Sequence, residues 1–396
     1  MKFISKKKHF IILITALFLL IKASAQTEEP IKSDLGDIIT LHSEILKEDR
    51  KIMIYSPKDS AHMEKAYPVM YVLDADNHFA QMVEYSKYLS RPDVDVTPAF
   101  IVVGIKHTDR VRDLTPTHSN FGPNENPLKT SGGNEQLFKF IEKELMPYVN
   151  SKYKIQPYRI FAGHSLGGIT TLNCLINYPD LFNAYIAVSP SLAWDRKYVL
   201  KLADKKLKTG SVVSKTLFFS DGNEGVAWNP TFHSDVLELD SLLRKRNITG
   251  LNFEYKYYPA ENHMTVTIKS YYDALRFIYK SWEFSPATNE DVIPVKIMKH
   301  YNGLSQKFGY TILPRETQFD EGIEWFMKSP GTQDQAISLL EMNAVNYPYS
   351  SKAFAALGAA YAIKGEKQKA LAFYKKASEL NPSSNEIKLR LEELQK

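Results

Sequence analysis

Residues 158–172, YRIFAGHSLGGITTL, hold a serine in a setting that could make it a nucleophile. A serine hydroxyl attacks poorly near neutral pH, so it needs a base to take its proton, a third group to orient that base, and exposure to a substrate. Gly163-His164-Ser165-Leu166-Gly167 lies between a strand-like apolar run ending at Ala162 and a helix-like segment beginning at Leu166. Such a turn holds its serine in a strained conformation, with glycines on either side to avoid the neighbouring elements and Gly168 to let the helix start pack closely. The helix start also brings backbone N–H groups and the positive end of the helix dipole to where oxyanion charge would develop.

The turn predicts its partners in chain order: an acid after a later strand, then a histidine after the last one. The run KTLFFSDGNEG ends in Asp221 and Glu224, and FEYKYYPAENH leads into His263. In the order Ser165, Glu224, His263, the carboxylate fixes the imidazole tautomer and His263 takes the serine proton. Glu224 has the longer reach and is the expected acid. Asp221, which follows its strand directly and could form a turn with Gly222, is the alternative, and Glu261 reads as an ordinary loop carboxylate. The oxyanion hole should combine the backbone N–H of Leu166 with that of Ala75 or Asp76, in the loop of MYVLDADNHF.

The elements that must carry these groups are legible in the hydrophobic pattern. Residues 36–57 read as an opening hairpin. From Pro68, short unalternating apolar runs at 68–74, 99–105, 159–163, 184–190 and 216–222 read as strands buried on both faces. Helical candidates fall at 134–150, 166–178, 231–246 and 267–282. This alternation predicts an α/β fold, a mostly parallel sheet with helices on both faces. Residues 286–314, with Pro286, Pro294 and Pro314, read as a linker. Beyond it, a shift of 34 residues sets Gly331 over Gly365, Ala336 over Ala370 and Pro348 over Pro382. With Phe354, Leu357, Gly358, Tyr361, Tyr374 and Ala377, residues 315–396 resemble a small all-α domain of tetratricopeptide-like repeats with a capping helix.

At the N-terminus, Lys2, Lys6, Lys7 and Lys8 precede an apolar run from Phe10 to Ile21, and Ala23-Ser24-Ala25 offers a small-residue cleavage site. Residues 1–25 are expected to be a signal peptide, and residues 26–285 the first folded domain of an exported, periplasmic or secreted product. The apolar run is shorter than the ~20 residues of a membrane span, so no span is expected after cleavage. The formal charge of +5 belongs to the signal, because the remainder carries 45 basic and 45 acidic side chains. That balance argues against nucleic acid as a partner. Cys174, the single cysteine, reads as a small buried hydrophobe.

Taken together, SEILKEDRKIMIYSP, YPVMYVLDADNHF, IVVGIKHTDRVRDLTPT, FAGHSLGG, AVSPSLAWD and ENHMTVTIKSYYDALRF resemble the esterase family of α/β hydrolases. That family includes esterase D, enterochelin-type siderophore esterases, feruloyl and acetyl xylan esterases and mycolyltransferases. The similarity spans roughly residues 36–284. RDLTPT and the SPS-aromatic block look most like the siderophore-esterase branch. The resemblance implies an α/β-hydrolase fold and a catalytic set of Ser165, an Asp or Glu near 224, and His263. Where the family often shows Leu-Asp-Gly, this chain has Leu73-Asp74-Ala75.

Arg110, Arg112 and Asp113 either meet an anionic substrate or pair with one another, and Trp194 either lines an acyl pocket or packs in the core. No H-E-x-x-H, paired cysteines or glycine-rich phosphate loop is present, so no metal or cofactor is expected. The expectation is a serine carboxylesterase that forms an acyl-enzyme on Ser165 and acts on a small-molecule or glycan ester, with siderophore and acylated-carbohydrate esters both open. The alternatives are an acyltransferase of the same fold, or a non-catalytic binding protein whose helical repeats contact a protein partner or pack on the hydrolase itself.

Overall fold

The computed structural model describes residues 34–58, 65–120, 128–225 and 230–396. The signal expected at 1–25 lies outside them. Residues Gly36–Lys396 form one compact unit around an eight-stranded sheet in the order β1-β2-β4-β3-β5-β6-β7-β8. The strands are β1 Asp37–Ser43, β2 Glu48–Tyr55, β3 Tyr67–Leu73, β4 Ile101–Ile105, β5 Ile155–His164, β6 Ala184–Val188, β7 Val212–Gly222 and β8 Thr249–Tyr258. β1 and β2 form an antiparallel hairpin, β2 joins β4 antiparallel, and every pairing from β4 through β3 to β8 is parallel.

Every residue of β3, β4 and β6 is buried, which explains their unalternating apolar sequences, whereas edge strand β8 alternates and is largely exposed. Alternate residues feed two cores. Tyr71, Val103, Phe161, Tyr185 and Phe219 face one side of the sheet, where α3 (Asn134–Phe140) and the helix that follows Ser165 pack. Met70, Val102, Ile160, Ile186 and Phe218 face the other, under α1 (Ala75–Leu89) and α8 (Val266–Ile278). Between these lie α2 (Arg110–Asp113), α4 (Met146–Lys152), α5 (Leu166–Asn177), α6 (Trp194–Lys206) and α7 (Phe232–Arg246).

Helices α1 and α6 fall outside the helical candidates of the sequence. Residues after Leu73, expected as a loop, enter α1 at once, because Asp74 takes a left-handed conformation (φ 53°, ψ 52°) and turns the chain in a single residue. The segment after SPSLA is helical, kinked at the left-handed residues Asp195 to Lys197.

Within the stretch read as a linker, Pro294–Phe308 forms α9. Proline at a helix start loses no hydrogen bond, so Pro294 opens this helix instead of breaking one. Ile297, Tyr301, Leu304 and Phe308 of α9 are buried in the second core, together with Phe326 of α10 (Asp320–Lys328) and Ala336, Leu339 and Met342 of α11 (Gln333–Asn346). The Phe308 ring packs 5.0 Å from that of Tyr158 and 5.1 Å from that of Tyr279. The remaining helices, α12 (Ser351–Ile363), α13 (Lys367–Leu380) and α14 (Asn385–Gln395), continue outward with a smaller core around Leu357, Tyr361 and Ala370. Among the described residues, no helix is long and apolar enough to cross a membrane.

Candidate active site

β5 delivers Ser165 into the turn before α5, and the backbone there is strained: φ is 61° and ψ −115°. A non-glycine residue holds such a conformation only when its surroundings over-determine it. The Ser165 N–H donates to Val188 O (2.9 Å), and its carbonyl accepts from the N–H groups of Ile169 and Ser191 (3.2 Å each). Glycines make the turn fit. A Cβ on Gly163 would lie 2.3 Å from Gly167 O, and one on Gly168 would lie 2.9 Å from Pro190 Cα and Val188 O. At Gly167 a Cβ would meet only ordinary contacts near 3.5 Å, so the tight positions are 163 and 168, not 167.

His263 follows β8, and its Nδ1 lies 2.5 Å from Glu224 Oε2. The Glu224 side chain is 3% exposed. Its other oxygen accepts from Ser189 Oγ at 2.7 Å and, more distantly, from Gly222 N–H at 3.4 Å. The His263 loop is tied to the serine turn from the far side: His164 Nε2 donates to the His263 carbonyl (2.7 Å), and their rings lie 4.5 Å apart. Burial, followed by the nearby His263 and His78, holds the His164 imidazole well below its ordinary pKa, so it is neutral and keeps this tautomer. Phe232 closes another side with its ring 5.5 Å from that of His263.

Asp221 has other partners. Fully buried on β7, it accepts from Tyr255 OH and pairs with His233 Nδ1, both at 2.7 Å. Burial pushes its carboxyl up to about 6 despite those two hydrogen bonds. Glu261 pairs with Lys269 at 2.6 Å.

The two expected oxyanion-hole segments are neighbours. A Cβ on Gly167, at the start of α5, would lie 3.5 Å from both Asp74 Oδ2 and Leu73 Cβ. Leu166, Ala75 and Asp76 occupy first turns of α5 and α1, where backbone N–H groups have no intrahelical acceptor. Because the left-handed residue is Asp74, Ala75 is an ordinary helical residue and no glycine is required there. Asp76 itself is exposed and its carboxylate pairs with Lys106.

Asp74 is held from several directions. Arg110 grips its carboxylate with Nε and NH2 at 2.7 and 2.9 Å, and its N–H donates to His107 Nε2 at 3.3 Å. His107 Nδ1 in turn meets Asp113 Oδ2 at 3.0 Å. Arg50, fully buried, binds the same Asp113 oxygen at 2.6 Å. Burial alone would raise the Asp113 carboxyl, but the His107 hydrogen bond and the Arg50 charge bring it down to about 2. Arg110 and Asp113 therefore sit in one ion-pair network that braces the turn at Asp74 between β3 and α1. Trp194 is half-buried against the first core, and its indole N–H donates to Thr117 Oγ1 at 3.2 Å.

Ser189, Ser191, His107 and His164 fall within the stretches that carry the family resemblance, but the sequence assigned none of them a role. Ser191 Oγ lies 3.1 Å from Ser165 Oγ. Their contacts join segments far apart in the chain, which neither spacing nor periodicity reports. Among the described residues, no three His, Cys, Asp or Glu side chains converge as a metal site would require.

The sequence model of the family described as "Putative esterase" matches residues 43–247. The ferri-bacillibactin esterase BesA of Bacillus subtilis is 33% identical over 255 residues, covering 58% of this chain and 85% of BesA. Among solved structures, an IroE-like serine hydrolase from Shewanella oneidensis superposes with a TM-score of 0.69 at 29% identity, over 78% of this chain and 99% of that one. The BES protein of Bacillus cereus does so with a TM-score of 0.56 at 26% identity, over 66% and 100%. A serine poised on a strand-to-helix turn, an α/β sheet that carries it and this set of relatives converge: the chain belongs to the esterase family of α/β hydrolases and is a hydrolase of ester bonds.

Proposed function

We propose that this chain is a serine carboxylesterase whose catalytic set is Ser165, His263 and Glu224, and that its substrates are siderophore esters. The observation that carries the chemistry is the buried Glu224 carboxylate 2.5 Å from His263 Nδ1, on a loop fastened to the residue before Ser165. With Nδ1–H committed to Glu224, His263 offers Nε2 as the base. Ser165 Oγ gives its proton to Nε2 and bonds to the ester carbonyl carbon, and the carbonyl electrons move onto oxygen. The N–H of Leu166 and that of Ala75 or Asp76 receive that oxyanion. Collapse expels the alcohol, which takes the proton from His263, and leaves an acyl-enzyme. Water, deprotonated by the same imidazole, then releases the acid and restores Ser165.

The substrate class rests on relatives, since BesA is named for ferri-bacillibactin. The same reading makes residues 1–25 an export signal and the helices from 315 onward tetratricopeptide-like repeats, the first pair packed on the hydrolase. The test is incubation of the protein with a triscatecholate trilactone siderophore, iron-free and ferric, followed by mass spectrometry. Stepwise ring opening to the linear trimer and smaller fragments supports the reading. An intact trilactone beside rapid hydrolysis of simple acyl esters or acetylated xylan would move the substrate elsewhere.

A further inference from the structure

We infer that Ser189 is a positioning residue for Glu224, holding its carboxylate in the orientation that presents Oε2 to His263. The inference rests on the catalytic set proposed above. Ser189 is fully buried, yet its φ is 39°, in the left-handed region that favours glycine. Its N–H donates to Ser220 O at 2.7 Å, so that donor already has its partner. Glycine would adopt this conformation without strain. The backbone therefore gives no reason for a serine, and the hydroxyl does: Oγ donates to Glu224 Oε1 at 2.7 Å.

A glutamate acid needs such an anchor more than an aspartate does, because one extra rotatable bond multiplies the orientations that could turn it from the imidazole. The Gly222 N–H at 3.4 Å is too long to fix the carboxylate by itself. Ser189 also ties the acid to the nucleophile. Pro190, with φ locked by its ring, rests against Gly168, and Ser191 donates its N–H to the Ser165 carbonyl while its hydroxyl lies 3.1 Å from Ser165 Oγ. Three consecutive residues thus touch both ends of the catalytic set.

The test is Ser189→Gly in the full-length protein, with melting temperature, kcat and KM for p-nitrophenyl butyrate. Glycine relieves the backbone strain and removes the side chain that carries the hydroxyl. The expected result is an unchanged or raised melting temperature, KM within about two-fold, and kcat down by roughly ten-fold or more, the usual weight of a hydrogen bond to a charged group. In a Glu224→Gln background the same substitution should cost nothing further, since both act through one carboxylate. Ser189→Thr, which keeps the hydroxyl on a less tolerant backbone, should be less stable but more active than Ser189→Gly. Wild-type kcat in Ser189→Gly, a loss that persists in the Glu224→Gln background, or Thr less active than Gly would each overturn the inference. If instead Ser165→Ala and Glu224→Gln themselves retain full turnover, it is the catalytic set that fails.

Discussion

Gly163→Ala puts the serine turn under a steric load. The added Cβ would lie 2.3 Å from Gly167 O, 2.5 Å from Gly167 C and 2.9 Å from Gly167 Cα. Non-bonded carbon contacts settle at about 3.5–4.0 Å. All three obstacles are backbone, so no rotamer change relieves them, and the first turn of α5 must retreat by about 1 Å. That turn carries the Leu166 N–H, and its Ile169 N–H caps the Ser165 carbonyl. A displacement near 1 Å at a catalytic centre costs on the order of 100-fold. Kcat/KM for p-nitrophenyl butyrate should therefore fall at least ~100-fold, while overpacking lowers stability by only about 1–3 kcal/mol. The control is Gly303→Ala in α9, where a Cβ meets nothing within 4 Å. It should raise stability by about 0.5–1 kcal/mol and leave turnover alone. Activity in Gly163→Ala within three-fold of wild type would refute the argument that this glycine sets the serine turn.

The other predictions follow from the partners and burial described above. Glu224→Gln should lower kcat by ~10³–10⁴-fold, as loss of a tautomer-fixing acid does, while Asp221→Asn, whose carboxylate serves His233 and Tyr255, should stay within several-fold. The reverse ranking would exchange the two acids. The Asp113 carboxyl is held at about 2 in the folded state against an ordinary 3.8, so it binds its proton more weakly folded than unfolded. Its contribution, about 2 kcal/mol, is present above pH 4 and lost as pH falls towards 2, so acid titration followed by circular dichroism should show Asp113→Asn with a flatter loss of stability across that window. Phe308→Ala should cost about 3–5 kcal/mol, read as a melting temperature lower by about 5 °C, and a chain ending at residue 285 should fail to give a sharp thermal transition, because it exposes the face that α9 to α11 cover. A stable, active 26–285 fragment would show that the helical region is dispensable.

How far the sequence could be read depended on how local each signal is. The serine turn is local, since glycine, serine and helix start lie within a few residues, and the proposed acid and base follow in fixed order at strand ends. Ser165, Glu224 and His263 could be named for that reason, and the β3, β4 and β6 strands for their burial on both faces. The braces could not be named. Asp74 stands at the N-cap of α1, where an aspartate is a usual sign of a helix start, yet MYVLDADNHF reads as a loop, and in the fold the Asp74 carboxylate binds Arg110 instead of capping the helix. His107 and His164 looked like any of ten histidines, because their meaning lies in partners brought close only by folding. Prolines at 286, 294 and 314 suggested a connection, although Pro294 starts a helix that completes the second core.

The most direct measurement is to treat the protein and its Ser165→Ala variant with a fluorophosphonate, locate the added mass by peptide mass spectrometry, and follow p-nitrophenyl butyrate hydrolysis in the same samples. One phosphonylated residue, Ser165, is expected, with turnover lost in proportion to labelling and absent from Ser165→Ala. Undiminished turnover in Ser165→Ala, or inactivation with the label on another residue, would contradict it.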